Sequence, residues 1–459
     1  MKRNNLFVTK RICSSLYLLP VGQMIADFGR GIKMNETALY VWEQLENDIS
    51  LNDLLARCNS FFEAENDAEK ELVKKDVTEL LSLFKDRGMI EGSRNIFRCS
   101  CSICQNNGPL PSPEFEDIAI DSIMPGDVID INFVEPYEKL VVGGLGVLIY
   151  GDRNYISSLF DIFSCEDEET SVFRDYMKIA IINIDSFDRN IQDDGYYDET
   201  KEIGDVPVSP ESKSGNAETF RYESSERDET GIVIIHNNEV TVLEYSNRYI
   251  LFFNGLDGIQ ELHLSKDGGE VVVYCTSPND ELKENLFYAL RIPFLIYALQ
   301  KGRVMLHSCS ILYNEKLWAF SAPSGTGKST HCGLWNKLYG TPVINGDLNL
   351  IGMENGVPYV YGTPWCGTSG IADTKKYKLG GIVLLKQGPK NRLETLSNEH
   401  KILLVQQRLV TSVWDENMLD ETLSIVSQIV SDIYVKRYYC TKEDDAATFL
   451  NADINRCVP

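Results

Sequence analysis

A short turn with two glycines, set between an apolar run and a helix-like run, constrains this chain more than any other stretch. The apolar run is Leu317 to Phe320, and the turn after it reads Ser324-Gly325-Thr326-Gly327-Lys328-Ser329-Thr330. Glycines let the backbone approach an anion closely, so that consecutive N–H groups and the start of a helix point at it. The pattern predicts a phosphate-binding loop. The alternative is a tight strand-to-helix turn with an incidental lysine.

The loop has the residue types that hold a nucleoside triphosphate with Mg²⁺. Lys328 would reach the β- and γ-phosphates, and the hydroxyl of Ser329 would be a ligand of Mg²⁺. Where the pattern G-x-x-x-x-G-K-[ST] has its first glycine, this chain has Ala322. ATP, or another nucleoside triphosphate, and Mg²⁺ are therefore the expected ligands of the loop.

Length and charge exclude several classes of protein. The 459 residues are too many for one ordinary core, so about two or three domains are expected. A net charge of −24 argues against a nucleic-acid partner or an anionic membrane surface. Apolar stretches are too short for a signal peptide or a membrane span, and twelve scattered cysteines fit a reducing compartment. A cytoplasmic protein is expected, with a homo-oligomer left open.

Residues 1–95 are predicted to form a small winged-helix-like module. Short strands are expected at 5–10, 14–19 and 24–34, and helices after Asn35, after Ser50 and from Asp67. Asn35 and Ser50 are favourable N-caps, and the third helix has an apolar stripe from Val73 to Phe84. Gly88 is expected to end that helix, and Met89 to begin a final strand.

This module resembles the PqqD-like family, the peptide-recognition elements of pathways that modify ribosomally made peptides. The resemblance covers residues 10–92 and is carried by Gly31 to Asn35, Leu39 to Leu45 with Trp42, Leu51 to Leu54, Asp76-Val77, and Gly88 to Ile90. It implies that a precursor or leader peptide adds as a strand at the edge 25–33 and packs on the helix 73–84. The alternative is a winged-helix domain used only for packing or dimerisation. Crowded acidic side chains disfavour DNA binding.

Residues 96–114 are predicted to be a linker that contains a cysteine cluster, Cys99, Cys101 and Cys104. Three close thiolates would suit Zn²⁺ or an iron–sulfur cluster, with the fourth ligand from elsewhere. The spacing lacks the paired C-x₂-C form, so the signal for a metal is weak. Free or redox-labile thiols are the alternative.

Residues 115–459 are predicted to be a mixed α+β nucleotide-binding domain. The segment 188–230 is acidic and poor in large apolar side chains, so it is expected to be a disordered insertion. A helix is expected from Glu281 to Gln300 with a kink at Pro293, and further helices are expected at 400–414 and 419–433.

Two side chains near the loop are candidates for phosphoryl-transfer chemistry. Asp347 follows a short strand, where a carboxylate would hold Mg²⁺ or take the proton of a hydroxyl acceptor. His307 ends a strand just before the loop and would take that proton instead or contact the transferred group. The alternatives are a turn residue for Asp347 and a buried core histidine for His307. Candidate anion contacts are Lys375, Lys376, Lys378, Lys386 and Arg392.

Residues 230–455 resemble the HPr-kinase-related, phosphoenolpyruvate-carboxykinase-like kinases. The resemblance is carried by Leu306-His307-Ser308, Ala322 to Ser329, Asn345-Gly346-Asp347 and Gly362-Thr363-Pro364-Trp365-Cys366-Gly367. The alternative for the last of these motifs is a plain structural turn. It implies that Gly325, Gly327, Lys328, Ser329 and Thr330 hold nucleotide and Mg²⁺, that Asp347 is a metal ligand or base, and that His307 lies beside the acceptor. The family commonly has two adjacent acids where this chain has Gly346-Asp347, so one carboxylate would do both tasks.

These features together predict an ATP-dependent kinase. It would bind a ribosomally made precursor peptide through residues 1–95 and phosphorylate a Ser or Thr hydroxyl of that peptide. Two alternatives remain open: a catalytically weak nucleotide-binding delivery or regulatory protein of such a pathway, and a metabolite kinase. Labelled ATP would distinguish the three hypotheses. The label would go to a peptide in the first, would not be transferred in the second, and would go to a small molecule in the third.

Overall fold

The structure is a computed structural model that describes residues 1–28, 31–91, 131–133, 136–165, 173, 175–184, 218–220 and 231–457. The cysteine cluster Cys99, Cys101 and Cys104 lies outside the described residues, as does most of the segment 188–230. In the described part of the chain, no helix has both the length and the apolar character that crossing a bilayer requires.

The described residues of the N-terminal domain form an antiparallel sheet covered by helices. The strands are β1 (Phe7–Ile12), β2 (Ser15–Pro20) and β3 (Ile32–Met34), in the order β1-β2-β3. The helices are α1 (Gln23–Phe28), α2 (Glu36–Gln44), α3 (Leu51–Phe61) and α4 (Asp67–Asp86). The side chain of Asn35 accepts from the backbone N–H of Ala38 at 2.8 Å, and that of Ser50 from Asp53 at 3.1 Å, so both predicted N-caps are confirmed.

One prediction for this domain is wrong. The segment 24–34 is not one strand, because α1 precedes β3. A tertiary contact favours the helix here: the side chain of Gln23 is buried and accepts from the backbone N–H of His236 at 3.1 Å. Only the start of the final strand predicted after Gly88 lies in the described residues, where Ile90 forms an antiparallel bridge with Arg3.

The second domain begins with a large mixed sheet. Its strands are β5 (Glu138–Val142), β6 (Leu145–Tyr150), β7 (Tyr176–Asn183), β9 (Ile232–His236), β10 (Val240–Glu244), β11 (Arg248–Phe253), β12 (Ile259–Ser265) and β13 (Glu270–Cys275). They lie in the order β5-β6-β7-β13-β12-β11-β10-β9. A separate ribbon pairs β4 (Ile131–Phe133) with β8 (Glu218–Phe220). Within the acidic segment, the structure describes residues 218–220, where Phe220 pairs with Ile131.

A second mixed sheet carries the phosphate loop. Its strands are β14 (Arg303–Tyr313), β15 (Lys316–Ser321), β16 (Val343–Asn345), β17 (Leu348–Glu354), β18 (Val357–Tyr361), β19 (Lys376–Gln387), β20 (Arg392–Thr395) and β21 (Tyr434–Cys440). The order is β15-β14-β17-β18-β19-β21-β20, with β16 on β14. Because β15 also pairs in parallel with β19, the sheet closes into a ring.

Two long strands change partners along their length. Over residues 303–307, β14 pairs with β17, and from Ser308 onward it pairs with β15. Likewise β19 pairs with β18 over 376–378 and then with β15 and β21. His307 therefore lies where β14 changes partners, one strand away from the start of the phosphate loop.

The helices of the second domain are α5 (Asp280–Ala289), α6 (Arg291–Gln300), α7 (Lys328–Tyr339), α8 (Asn398–Gln406), α9 (Glu416–Asp432) and α10 (Asp444–Cys457). The predicted single helix 281–300 is two helices that meet at Leu290. Pro293 lies in the first turn of α6, where its missing N–H costs nothing, and its ring would clash with a carbonyl one turn earlier in a continuous helix.

The predicted helix 400–414 ends early, at Gln406, because the chain beyond it joins β14. The backbone N–H of Val410 donates to the carbonyl of Met305 at 2.9 Å, and Leu409 forms a bridge with Leu306. Sequence patterning did not identify β20 or α10. The predicted α+β class with large mixed sheets is confirmed.

The N-terminal sheet is buried on both faces. One face packs on its own helices through Phe7, Leu18 and Met34, in a core that includes Trp42 and Phe84. The other face packs into the core of the second domain through Ile12, Tyr17, Leu19 and Val21. The sheet is therefore a layer between two hydrophobic cores, and the N-terminal domain is docked on the second domain.

Candidate active site

The phosphate loop leaves β15 after Ser321 and enters α7 at Lys328. Gly325 has φ of +74° and Gly327 has φ of +106°, in the left-handed region that side chains disfavour. A Cβ added to Gly325 would meet no atom within 4 Å. The backbone conformation, and not crowding, therefore requires glycine at this position.

Ala322 occupies the position where the usual motif has its first glycine. Its φ lies outside the left-handed region, and its side chain is fully buried in a core with Phe320 and Trp335. Its carbonyl accepts a hydrogen bond from Nζ of Lys328 at 3.2 Å. The backbone conformation at this position therefore accepts alanine, and the loop forms without the first glycine of the pattern.

The start of α7 is open to a ligand. Gly327 is the N-cap and supplies no side-chain hydrogen bond, and the first turn contains no acidic residue. The first N–H groups of a helix need partners, and its N-terminus carries partial positive charge. Ser324, Ser329 and Thr330 are exposed there, and Thr326 is half-buried. This arrangement fits the phosphates of a nucleotide, as the sequence predicted.

Lys328 lies under the loop with 9% of its surface exposed. Its Nζ is 2.9 Å from Nε2 of His307. Burial lowers the pKa of Lys328, while the charge of Asp347 acts in the opposite direction and that of Arg408 lowers the pKa further. A buried ammonium of this kind gains from an anion beside it.

Asp347 lies in the turn between β16 and β17 and faces the same histidine. Its Oδ1 is 3.1 Å from Nε2 of His307, and 36% of its side chain is exposed, as is 27% of that of His307. The hydrogen bond from His307 lowers the pKa of Asp347 most, and the charges of His307, Lys328 and Arg291 add to this effect against desolvation. Asp347 is therefore a carboxylate that a substrate can reach.

One ring nitrogen faces both neighbours. Nε2 of His307 accepts from Lys328 when it is unprotonated, and donates to Asp347 when it carries a hydrogen. The two hydrogen bonds cannot form together in one protonation state. A ligand that draws Lys328 toward phosphate would leave Nε2 free to donate to Asp347.

Buried polar groups hold β14 at this point. The side chain of Asn349 donates to Oγ of Ser308 at 2.9 Å and accepts from Oγ of Ser310 at 2.8 Å. Oγ of Ser321 donates to the carbonyl of His307 at 2.7 Å. Satisfied buried hydrogen bonds of this kind fix the backbone that carries His307. Sequence reasoning missed Asn349, which lies in no recognisable motif.

The Gly362 to Gly367 loop forms a wall beside Asp347. A Cβ added to Gly367 would lie 2.8 Å from Cβ of Asp347. Trp365 anchors the loop, because its buried indole donates to the carbonyl of Phe287 at 2.9 Å. The loop therefore shapes the surroundings of Asp347 and is fixed by its tryptophan.

A cavity of about 490 Å³ opens beside the loop. Its lining residues are Pro323, Thr326, Leu384, Leu385, Lys386, Leu404, Gln407, Arg408 and Arg437. Arg437 is paired with Glu394 at 3.1 Å. The lining contains three cationic side chains and no acid, although the chain as a whole is strongly acidic. The cavity therefore favours an anionic ligand.

Of the five residues predicted to contact an anion, one lines this cavity. Lys386 lines it. Lys376 is instead bonded to both oxygens of Glu354 at 2.8 Å, and Arg392 lies over the ring of Tyr439. Sequence reasoning missed Arg408, because the predicted helix ran through it and hid the point at which the chain turns toward β14.

The comparison with protein families bears on the N-terminal domain. Residues 17–90 match the family described as Coenzyme PQQ synthesis protein D (PqqD). The N-terminal domain is a PqqD domain. The resemblance predicted for residues 10–92 is thereby confirmed. Among curated proteins, none matches the chain significantly.

A solved structure similar to part of the chain is the HPr(Ser) kinase/phosphatase from Coxiella burnetii. The identity is 11%, the TM-score is 0.16, and the match covers 20% of this chain and 72% of that chain. A TM-score this low carries no argument about fold or activity.

The PqqD domain presents β3 as the outer strand of its sheet. β2 pairs with one side of β3, and in the described part of the sheet no strand pairs with the other. The predicted edge over 25–33 is too long, since only Ile32–Met34 is a strand. Val73 and Leu80 of α4 are half-buried, and Leu72 is 61% exposed. The edge and this helix are the surfaces where the sequence predicted a peptide.

Proposed function

We propose that this chain is an ATP-dependent, HPr-kinase-like kinase that holds a ribosomally made precursor peptide at its PqqD domain and phosphorylates a Ser or Thr hydroxyl of that peptide. The observation that carries the proposal is the placement of Lys328, His307 and Asp347 within hydrogen-bond distance at the open start of α7. The same chain carries the PqqD domain.

The loop would hold the nucleotide. The N–H groups from Gly325 to Lys328 would bind the phosphates, and the ammonium of Lys328 would move to the β- and γ-phosphates. Ser329 and Asp347 would hold Mg²⁺, which needs few protein ligands because it keeps water and phosphate oxygens. When bound, Mg²⁺ neutralises charge on the phosphate oxygens.

Asp347 would take the proton of the acceptor. Transfer forms a bond between the acceptor oxygen and the γ-phosphorus, breaks the bond to the bridging oxygen, and releases ADP. A carboxylate of low pKa is a weak base, which suits a loose transition state in which the hydroxyl loses its proton late. Donation from Nε2 of His307 would keep the carboxylate oriented.

The PqqD domain would capture the peptide by strand addition at β3. Main-chain hydrogen bonds to β3 would supply affinity, and side-chain contacts with α4 would supply selectivity. The inner face of the sheet is already buried against the second domain. A further strand can therefore add only at an edge of the sheet, and the proposal places the peptide at the β3 edge rather than at β1, the other outer strand.

One observation favours a second candidate, a catalytically weak nucleotide-binding delivery protein. A Cβ added to Gly346 would lie 2.2 Å from Oγ of Ser369. The position next to Asp347 therefore has no room for a second acid, and a single carboxylate is left for both metal binding and proton transfer.

The test uses purified full-length protein, Mg²⁺, γ-labelled ATP and the peptides of short reading frames beside the gene. Label is expected on a Ser or Thr of one peptide, and it is expected to be lost in Lys328→Ala and Asp347→Asn. Lys337→Met is the matched control, because Lys337 is an exposed lysine on the same helix, paired with Asp444. Nucleotide binding without transfer would support the delivery protein, and label on a small molecule would support a metabolite kinase.

A further inference from the structure

One stretch of chain links the PqqD domain to the candidate active site. Residues 397–414 contain α8 and the turn that joins it to β14. Near its start, Glu399 contacts the PqqD sheet. In its middle, Arg408 contacts His307, and near its end Val413 contacts the PqqD domain again.

At the start of the stretch, Glu399 is held by two strands of the PqqD sheet. Its carboxylate accepts from Oγ of Ser15 at 2.9 Å, from Nζ of Lys33 at 3.1 Å and from the hydroxyl of Tyr17. These bonds, that from Tyr17 first, lower the pKa of Glu399 to about 2. Lys33 belongs to β3, the strand with the open edge.

A single helix of nine residues, α8, lies between the two sites. α8 is anchored in the core of the second domain by Ile402, Leu403 and Val405. Packed helices move as units, because close-packed cores do not deform continuously. Contacts made by Glu399 and by the chain after Gln406 are therefore joined by one packed helix.

At the other end of α8, the chain contacts the backbone of one catalytic candidate, His307. The backbone N–H of His307 donates to the carbonyl of Arg408 at 2.9 Å. The side chain of Arg408 lines the cavity beside Thr326. Farther on, the carbonyl of Val413 accepts from the backbone N–H of Gly22 at 3.0 Å, so the stretch returns to the PqqD domain.

We propose that a peptide strand added to β3 is sensed by Glu399 and relayed through α8 to Arg408 and His307, so that peptide binding and nucleotide binding are coupled. This inference rests on the proposed function, because it needs a nucleotide at the loop. A strand paired with β3 fixes the backbone of Lys33 and places new side chains beside its ammonium. The contact between Lys33 and Glu399 is the one that such a strand changes.

Coupling between two binding sites is reciprocal, so it is measurable from the nucleotide side without the peptide. The probe is Mg²⁺ with a non-hydrolysable ATP analogue, added to the full chain. The readout is amide hydrogen exchange by mass spectrometry in residues 15–20 and 32–34. The analogue is expected to change exchange there by about fivefold or more.

Two variants test whether the change in hydrogen exchange passes through Glu399 or through any contact between the two domains. Glu399→Gln is expected to lose the change in 15–20 and 32–34 while it still binds the analogue. Lys10→Met is the matched control, because Lys10 is a lysine of the same sheet whose partners, Glu416 and Asp420, belong to α9 and not to residues 397–414. It is expected to keep the change. If Glu399→Gln does not fold, Lys33→Met removes the β3 partner alone and is expected to reduce the change.

The inference is overturned if the wild-type chain binds the analogue but exchange in the two strands stays the same. It is also overturned if Glu399→Gln responds like the wild type. Absence of any heat of binding with the analogue would refute the proposed function itself, and the coupling with it. Calorimetry thus distinguishes the failure of one proposal from that of the other.

Discussion

A Cβ placed on Gly346 would lie 2.2 Å from Oγ of Ser369. Glycine at this position lets the turn that carries Asp347 pack directly against the loop that follows Gly367. The residue beside the carboxylate is therefore set by contact with that loop, and the site is built around a single acid.

Gly346→Asp is expected to destabilise the protein and to give no gain in transfer rate. Forcing a side chain into an occupied space costs about 1–3 kcal/mol. The measurements are the urea midpoint and the rate of label transfer. Gly333→Asp is the control, since a Cβ at Gly333 in α7 meets no atom within 4 Å. If Gly346→Asp raised the rate at unchanged stability, the single-acid account would be wrong.

Gly327→Ala is expected to weaken binding of Mg-nucleotide and to lower stability. With φ of +106°, alanine there is strained by about 1–2 kcal/mol, and the loop relieves the strain by moving its N–H groups. Calorimetry with Mg-ATP and thermal unfolding measure the two effects. Gly333→Ala, in the same helix and free of neighbours, is expected to raise stability by about 0.5–1 kcal/mol and to leave binding unchanged.

Arg408→Met is expected to lower the rate of transfer by at least about tenfold, because a cation beside the phosphates stabilises the charge of the transition state. The backbone bond from His307 to residue 408 survives this change, and the thermal midpoint of the variant is measured beside its rate. Arg392→Met is the control, since Arg392 lies over the ring of Tyr439 at 4.0 Å and does not line the cavity. Equal transfer rates for Arg408→Met and Arg392→Met would show that the side chain of Arg408 has no role in the reaction.

The stability gained from Glu399 is expected to depend on pH. Its pKa falls from 4.5 to about 2 in the folded chain, so the gain is fully present above about 4.5 and is lost as the pH drops toward 2. The difference in unfolding free energy between wild type and Glu399→Gln should be constant from pH 7 to 5 and narrow below that. Urea unfolding at several pH values measures it. A difference that grows on acidification would contradict the assigned contacts.

Local signals predicted much of the fold and the centre of the site. The glycines and Lys328 form one contiguous motif, and Asn35 and Ser50 cap helices within their own turn, so short-range physics decided them. His307 and Asp347 were predicted from their places at strand ends. Their mutual approach at 3.1 Å follows from the pairing of β14 with β17.

Long-range contacts account for what the sequence did not predict. Residues 23–28 form a helix whose first residue, Gln23, accepts a hydrogen bond from the backbone of His236, far away in the chain. Arg408 reaches the site because the end of α8 joins β14, and no local pattern signals that junction. The break at Leu290 is instead a local effect, since Pro293 was expected to interrupt the helix and the interruption lies one turn before it.

The burial of the PqqD sheet between two cores bears on any attempt to retarget this protein. Ile12, Tyr17, Leu19 and Val21 belong to the hydrophobic core of the larger domain, although the chain places them in the PqqD domain. If the PqqD domain were replaced by another recognition domain, the new domain would need the same apolar face. Without it, the core of the second domain would be exposed to water. Specificity here is best redesigned at the rim of β3, with the layer beneath it left intact.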